Sequence, residues 1–266
     1  MKSKSDVFIG PVDVANISMS FVIGLRSVGI NSTFYSYKQS KHEFDYQTEK
    51  FIPQFSRGYR IFGKKPEVLI NLFLKYFFLI FVLFKHNTFI FISPHTLFRN
   101  HADLKILSYF RKKIIFLFVG CHERTLDFRK SDPEYICNRC ADTLKQKICL
   151  CDNIEKKRQR IQLFEKYSDY IIAQDDSAGY LQKIKPIWFH LIMKEPVKKD
   201  YLSKYSDKII RIVHFPSNPL IKLSNIIIPI MKEIAAEYHN IELVIKSGIP
   251  HTEVVKELEK AHIVID

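Results

Sequence analysis

Apolar residues recur along this chain in two rhythms, short runs of period two and longer stretches of period 3.6. Val7-Phe8-Ile9 is a short strand that breaks at Gly10-Pro11-Val12-Asp13, after which Ile17, Phe21, Leu25 and Val28 recur at helical spacing until Gly29. Asn31 to Tyr37 alternates and is rich in aromatic residues, which predicts a second strand. The opening is therefore βαβ, and ligands of such sheets bind at the loop leaving the first strand. That loop lacks a G-x-G-x-x-G series, so no tightly held dinucleotide is indicated.

Residues 38–66 are polar, aromatic and weakly periodic, and read as loops with a short strand or helix. Thr88 to Ser93 and Lys113 to Val119 read as buried strands on either side of a helix over Ala102 to Tyr109. A charged helix follows over Ile154 to Tyr167, then a strand over Tyr170 to Ala173 and a short helix capped by Gln174-Asp175-Asp176-Ser177. Residues 208–266 repeat the rhythm as β-loop-α-β-loop-α-β. Strands at Ile209–His214, Ile241–Lys246 and His262–Ile265 alternate there with helices, the first showing Ile226, Ile230, Ile234 and Ala235 on one face. The pattern predicts an α/β chain of two Rossmann-like domains. The first spans residues 1–190 and holds a cysteine-rich insert at 121–151, residues 191–207 form a linker, and 208–266 make a second, partial domain.

Composition changes this picture little. The chain is long enough to fold without covalent staples, and 47% hydrophobic content excludes disorder. A net charge of +13 fits nucleic acid, an anionic membrane face or a phosphorylated ligand. Nucleic acid is disfavoured, because the basic residues are dispersed and the aromatic ones sit in apolar runs. The apolar run behind the basic amino terminus is too short for a signal peptide, which predicts a cytoplasmic chain. Val68 to Phe84 is strongly apolar but interrupted by Asn71 and Lys75. It reads as a helix packed on a sheet, the alternative being a helix partly sunk in an anionic membrane interface.

Cys137, Cys140, Cys149 and Cys151 fall within fifteen residues, close enough for four thiolates to close around one structural Zn2+. The alternative is four reduced cysteines in a loop; Cys121 stands apart as a packed thiol. Gly120-Cys121-His122-Glu123-Arg124 follows a central strand. Gly120 allows close approach of a ligand, His122 can act as a base or hold a hydroxyl, and Arg124 can meet a phosphate bidentately. Lys222, just ahead of a helix start, makes a pyrophosphate seat with backbone amides, and His251 occupies the matching loop of the next unit.

These residues together resemble the glycosyltransferase family 4 group of the GT-B fold. The resemblance rests on ANISMSFVIGLRSVGI as the first helix and on FVGCHER where a G-S-D-x-R stretch is common. It rests also on the tail from Ile212, with a P-x-N loop at Pro216-Ser217-Asn218 and a G-x-P-H-x-E turn from Gly248 to Glu253. It implies retaining transfer from a nucleotide sugar to a glycan or lipid-linked acceptor, with no cofactor or metal needed for catalysis. Ser217, Asn218, Lys222 and His251 would then lie on the donor side, and Gly10, Asn16, Gly120, His122 and Arg124 on the acceptor side, His122 as the catalytic candidate. Leu223 replaces the family's usual glycine, and Ser217 stands where an arginine is common. The family's glutamate pair would follow the strand ending near Asp266, so the resemblance implies a shortened transferase, weak or inactive alone. The implied setting is the inner membrane face, and the alternative is a non-catalytic acceptor-binding module completed by another chain.

Overall fold

The computed structural model describes residues 6–14, 16–37, 50–54, 66–92, 94–119, 154–173, 184–186, 209–217, 219 and 222–265. The chain divides into two compact units, one of Met1–Gln39 with Gln47–Ile192, the other of Ser40–Tyr46 with Met193–Asp266.

The first unit is built on strands β1 (Asp6–Gly10), β2 (Asn31–Ser36), β3 (Lys50–Phe51), β4 (Thr88–Ile92), β5 (Lys113–Phe118), β6 (Tyr170–Ala173) and β7 (Ile184–Pro186). They form one parallel sheet in the order β3-β2-β1-β4-β5-β6-β7. Its helices are α1 (Ile17–Ser27), α2 (Pro66–Lys85), α3 (Ala102–Tyr109) and α4 (Ile154–Tyr167). Alternation along the strands sorts the side chains into two layers. Phe8, Tyr35, Phe89, Phe91, Phe116 and Phe118 face one way, into an aromatic core with α2, α3 and α4. Ile9, Phe34, Ile90, Ile92 and Leu117 face the other way, against α1. Burial on both faces is what a doubly wound parallel sheet requires.

Pro186 lies in β7, the last strand of the sheet. Proline is tolerated at a sheet edge because no further strand needs its missing N–H. The apolar helix packs on the sheet through Phe78, Leu79, Val82 and Leu83, yet its other half is exposed. Among the described residues, no helix is long and apolar enough to cross a membrane.

The second unit holds β8 (Ile210–His214), α5 (Ser224–Glu237), β9 (Ile241–Ile245), α6 (His251–Lys260) and β10 (Ile263–Val264), in a parallel sheet ordered β10-β8-β9. Arg211 on β8 bridges Glu242 at 3.0 Å and Glu257 of α6 at 2.6 Å, tying that helix to the sheet. Ile226, Ile230 and Ile234, which share one face of α5, are all exposed, and α5 buries Met231 and Ser224. Helical period states which residues share a face; only packing decides which face is covered.

Candidate functional site

In the first sheet the connections run outward one way through β2 and β3, and the other way from β4 onward. The chain order therefore reverses between β1 and β4, and the loops leaving those strands diverge to open a crevice at the sheet's carboxyl edge.

The loop after β1 is shaped by Gly10. Its φ is +147°, and a Cβ there would collide with the carbonyl oxygen of Tyr35 on β2. Ser18 donates its backbone N–H to Asp13 Oδ1 at 2.9 Å and its hydroxyl to the Val12 carbonyl at 3.0 Å. The protein's own carboxylate thus occupies the amino-terminal end of α1. Burial raises the Asp13 carboxyl above the ordinary carboxylate range, against the opposing pull of the Ser18 amide. Asn16 sits in the left-handed region (φ 63°) at the start of α1, its side-chain oxygen shielded from solvent and making no hydrogen bond.

The loop after β4 carries a polar cluster that sequence reasoning missed. Thr96 Oγ1 lies 2.8 Å from Asp103 Oδ1 and 3.1 Å from His101 Nδ1, and the Leu97 N–H donates to Asp103 Oδ2 at 2.8 Å. The Tyr37 hydroxyl donates to the Leu97 carbonyl. A neutral His101 donating to Thr96, with Thr96 donating to Asp103, satisfies all three groups. Burial, then the positive charge of Arg160 on α4, holds His101 at about 4, while burial lifts the fully buried Asp103 to about 6. Lys75 adds a cation 4.7 Å from the Tyr37 ring. The available signal was positional: Pro94-His95-Thr96 leaves a buried strand as Gly120-Cys121-His122 does, but reads like an ordinary turn.

Another histidine, the fully buried His86, lies between α2 and β4 at the amino-terminal end of the strands. Its Nδ1 is 3.2 Å from Asp6 and its Nε2 is 3.2 Å from the Tyr35 hydroxyl, to which Lys85 also donates at 3.3 Å. Burial pushes His86 down to about 4 despite the Asp6 carboxylate.

In the second sheet, taken by itself, the order reverses between β8 and β10, so the loop after β8 lies at that sheet's own reversal point. Pro216 is buried there and Ser217 exposed; Lys222 is half-buried immediately before Leu223, whose φ is +52°. Leu223 caps α5 without a side-chain hydrogen bond, and the first turn of α5 contains no acidic residue. The fully buried His214 joins three pieces, its Nδ1 2.8 Å from the Ile265 carbonyl and its Nε2 2.8 Å from the Ser224 hydroxyl. With the proton on Nδ1, the ring donates to Ile265 and accepts from Ser224. His251 opens α6, after β9 on the other side of β8.

The structure therefore places Gly10 and Asn16 in one loop, and Ser217 and Lys222 in another. Gly120, Cys121, His122, Arg124, Asn218 and the cysteines Cys137, Cys140, Cys149 and Cys151 lie outside the described residues. Among the described residues, no group of three or more His, Cys, Asp or Glu is placed to hold a metal ion.

No protein-family model matches the chain, and no curated protein matches it. Solved structures do. Staphylococcus aureus MnaA, determined with UDP, shares 14% identity over 97% of this chain and 65% of its own, with a TM-score of 0.47. A UDP-N-acetylglucosamine 2-epimerase shares 12% over 98% of this chain and 74% of its own, with a TM-score of 0.53. A UDP-GlcNAc 2-epimerase from Methanocaldococcus jannaschii shares 14% over 96% and 67%, with a TM-score of 0.45. The chain spans just under two thirds of the length of MnaA. At such identity the likeness is one of fold, and the second of these carries it: an α/β architecture of two Rossmann-like units, of the GT-B type.

Proposed function

We propose that the chain acts on a nucleotide sugar, with the diphosphate seated where β8 turns into α5. The chemistry is glycosyl transfer to a glycan or lipid-linked acceptor on the first unit. One observation carries this reading. The start of α5 borders a reversal of strand order, is free of acidic residues in its first turn, has no side-chain cap, and has Lys222 directly before it. Backbone amides and the helix dipole favour an anion there, and the ammonium adds a compact charge. The start of α1 holds the Asp13 carboxylate, which would repel a phosphate. The start of α6 holds Glu253, paired with Lys246 at 3.0 Å.

Fold likeness to a UDP-N-acetylglucosamine 2-epimerase favours a second reading, in which the sugar is isomerised while still attached to its nucleotide. Both readings need donor binding. Titration of the chain with UDP-GlcNAc, UDP-glucose and GDP-mannose is expected to show binding of at least one, weakened at least tenfold by Lys222→Ala. Release of free nucleoside diphosphate only when acceptor is present marks transfer; an intact nucleotide carrying an inverted sugar carbon marks epimerisation. Failure to bind any of the three would remove both readings.

A further inference from the structure

We infer that α2 is a membrane-docking surface that lies flat in the interface of an anionic bilayer. At 100° per residue, the exposed side chains Leu69, Phe73, Phe77, Ile80, Phe81 and Phe84 fall within one half of the helix circumference. Phe84 is 88% exposed, Leu69 73%, Phe73 65% and Phe77 61%. At about 200 Å² per aromatic side chain, the four exposed phenylalanines alone present on the order of 500 Å². That equals the largest apolar patch usual on a soluble monomer, before the aliphatic residues are added.

Polarity and charge choose the occupant. The exposed half carries no charged side chain, and its polar contribution is the hydroxyl of Tyr76. A protein partner of this area would be registered by roughly one hydrogen bond per 100–200 Å²; acyl chains require none. Between Glu67 and Asp103 the sequence contains no acidic residue, and Lys85 sits beside the exposed face with its ammonium 5.8 Å from the Phe81 ring. Beside the helix, the exposed Lys50 lines a shallow groove of about 350 Å³ together with Phe51, Phe77 and Phe81. Apolar side chains entering the acyl region, with lysines at headgroup depth, is how an interfacial helix binds anionic lipid. The helix is buried on its opposite face against the aromatic core, so it lies along the surface and does not cross it.

The inference stands independently of the donor reading. The experiment is flotation of the full chain with phosphatidylcholine vesicles, with and without 30% phosphatidylglycerol. The chain is expected to float with the anionic vesicles, and less so in 0.5 M salt. The triple variant Phe73→Glu, Phe77→Glu, Phe84→Glu should lose at least tenfold in partitioning with an unchanged circular dichroism spectrum, since all three side chains are exposed. Lys50→Gln with Lys85→Gln should reduce the preference for anionic over neutral vesicles. Absence of the chain from both vesicle fractions, or flotation unaffected by the triple variant, would overturn the proposal. So would a lipid-free dimer in sedimentation velocity that the triple variant dissociates, because the face would then belong to a second copy.

Discussion

Each unit turns a strand into a helix at a reversal of strand order, and the two turns are built differently. After β1, Gly10 lets β1 and β2 approach to a distance that no side chain permits, and Asp13 occupies the start of α1. After β8, the left-handed position is held by Leu223, no side chain caps α5, and a lysine precedes it. The first turn spends its helix terminus on holding the loop together. Among the described residues, the second keeps its terminus without an anion of its own. A shared fold topology thus leaves open which unit is suited to an anion, and local residues decide it.

The sharpest way to break this contrast is Gly10→Ala. The added Cβ meets backbone, which cannot move aside, and the positive φ disfavours alanine as well. Chemical denaturation should report a loss of at least ~3 kcal/mol; a loss below ~1 kcal/mol would mean that the first turn is not held by steric fit. Next in size is the response to acid. His86 titrates near 4 in the folded chain against 6.5 when unfolded. A histidine with a lowered folded pKa adds stability that is present above 6.5 and is lost as pH falls toward 4, on the order of 3 kcal/mol. His101 acts in the same direction. Asp103, raised to about 6, acts in the opposite one: its contribution is present below about 4 and is lost as pH rises through 6. His95, also lowered by burial, joins the two histidines, and Asp13, raised by burial, joins Asp103; three histidines against two carboxyls predict a net loss on acidification, and His86→Phe should reduce the fall in unfolding free energy between pH 6.5 and 4.

Asp13→Ala should remove a cap and cost about 1 kcal/mol, read as a lower melting temperature. It would also make the start of α1 resemble that of α5. Should the variant bind nucleotide sugar no better and Lys222→Ala bind no worse, helix termini are not what separates the units. The smallest effect is expected at Leu223→Gly. Releasing a left-handed leucine recovers ~1 kcal/mol, and the greater freedom of glycine in the unfolded chain offsets part of it. A net gain of a few tenths of a kcal/mol in denaturant midpoint would confirm strain at this turn, and a net loss would show that the leucine side chain is held by packing.

Most strands and helices were legible in the chain, because β4 and β5 are short uninterrupted apolar runs and α1 and α3 follow the helical period. Thr88 to Ser93 announces a strand buried on both faces, and the structure puts its phenylalanines on one side and its isoleucines on the other. The edge strands were less legible: β3 and β7 are two and three residues long, too short for a period to register. Of the candidate site, Gly10 and Lys222 could be placed after strands from the sequence, while Asn16 came from the resemblance alone. The cluster of Thr96, His101 and Asp103 could not, since three polar residues in a turn look alike whether they face water or one another.

What the sequence determined by itself is the succession of elements, for hydrophobic period is a property of neighbours along the chain. Tertiary structure alone decided that β1 lies against β4, and with it which loops share a crevice. It also decided that half of α2 faces outward, because coverage depends on what else is packed nearby. Buried His86 and His214 follow the same rule: their partners lie 51 residues away, at Tyr35 and at Ile265, and no local pattern encodes a contact at that separation.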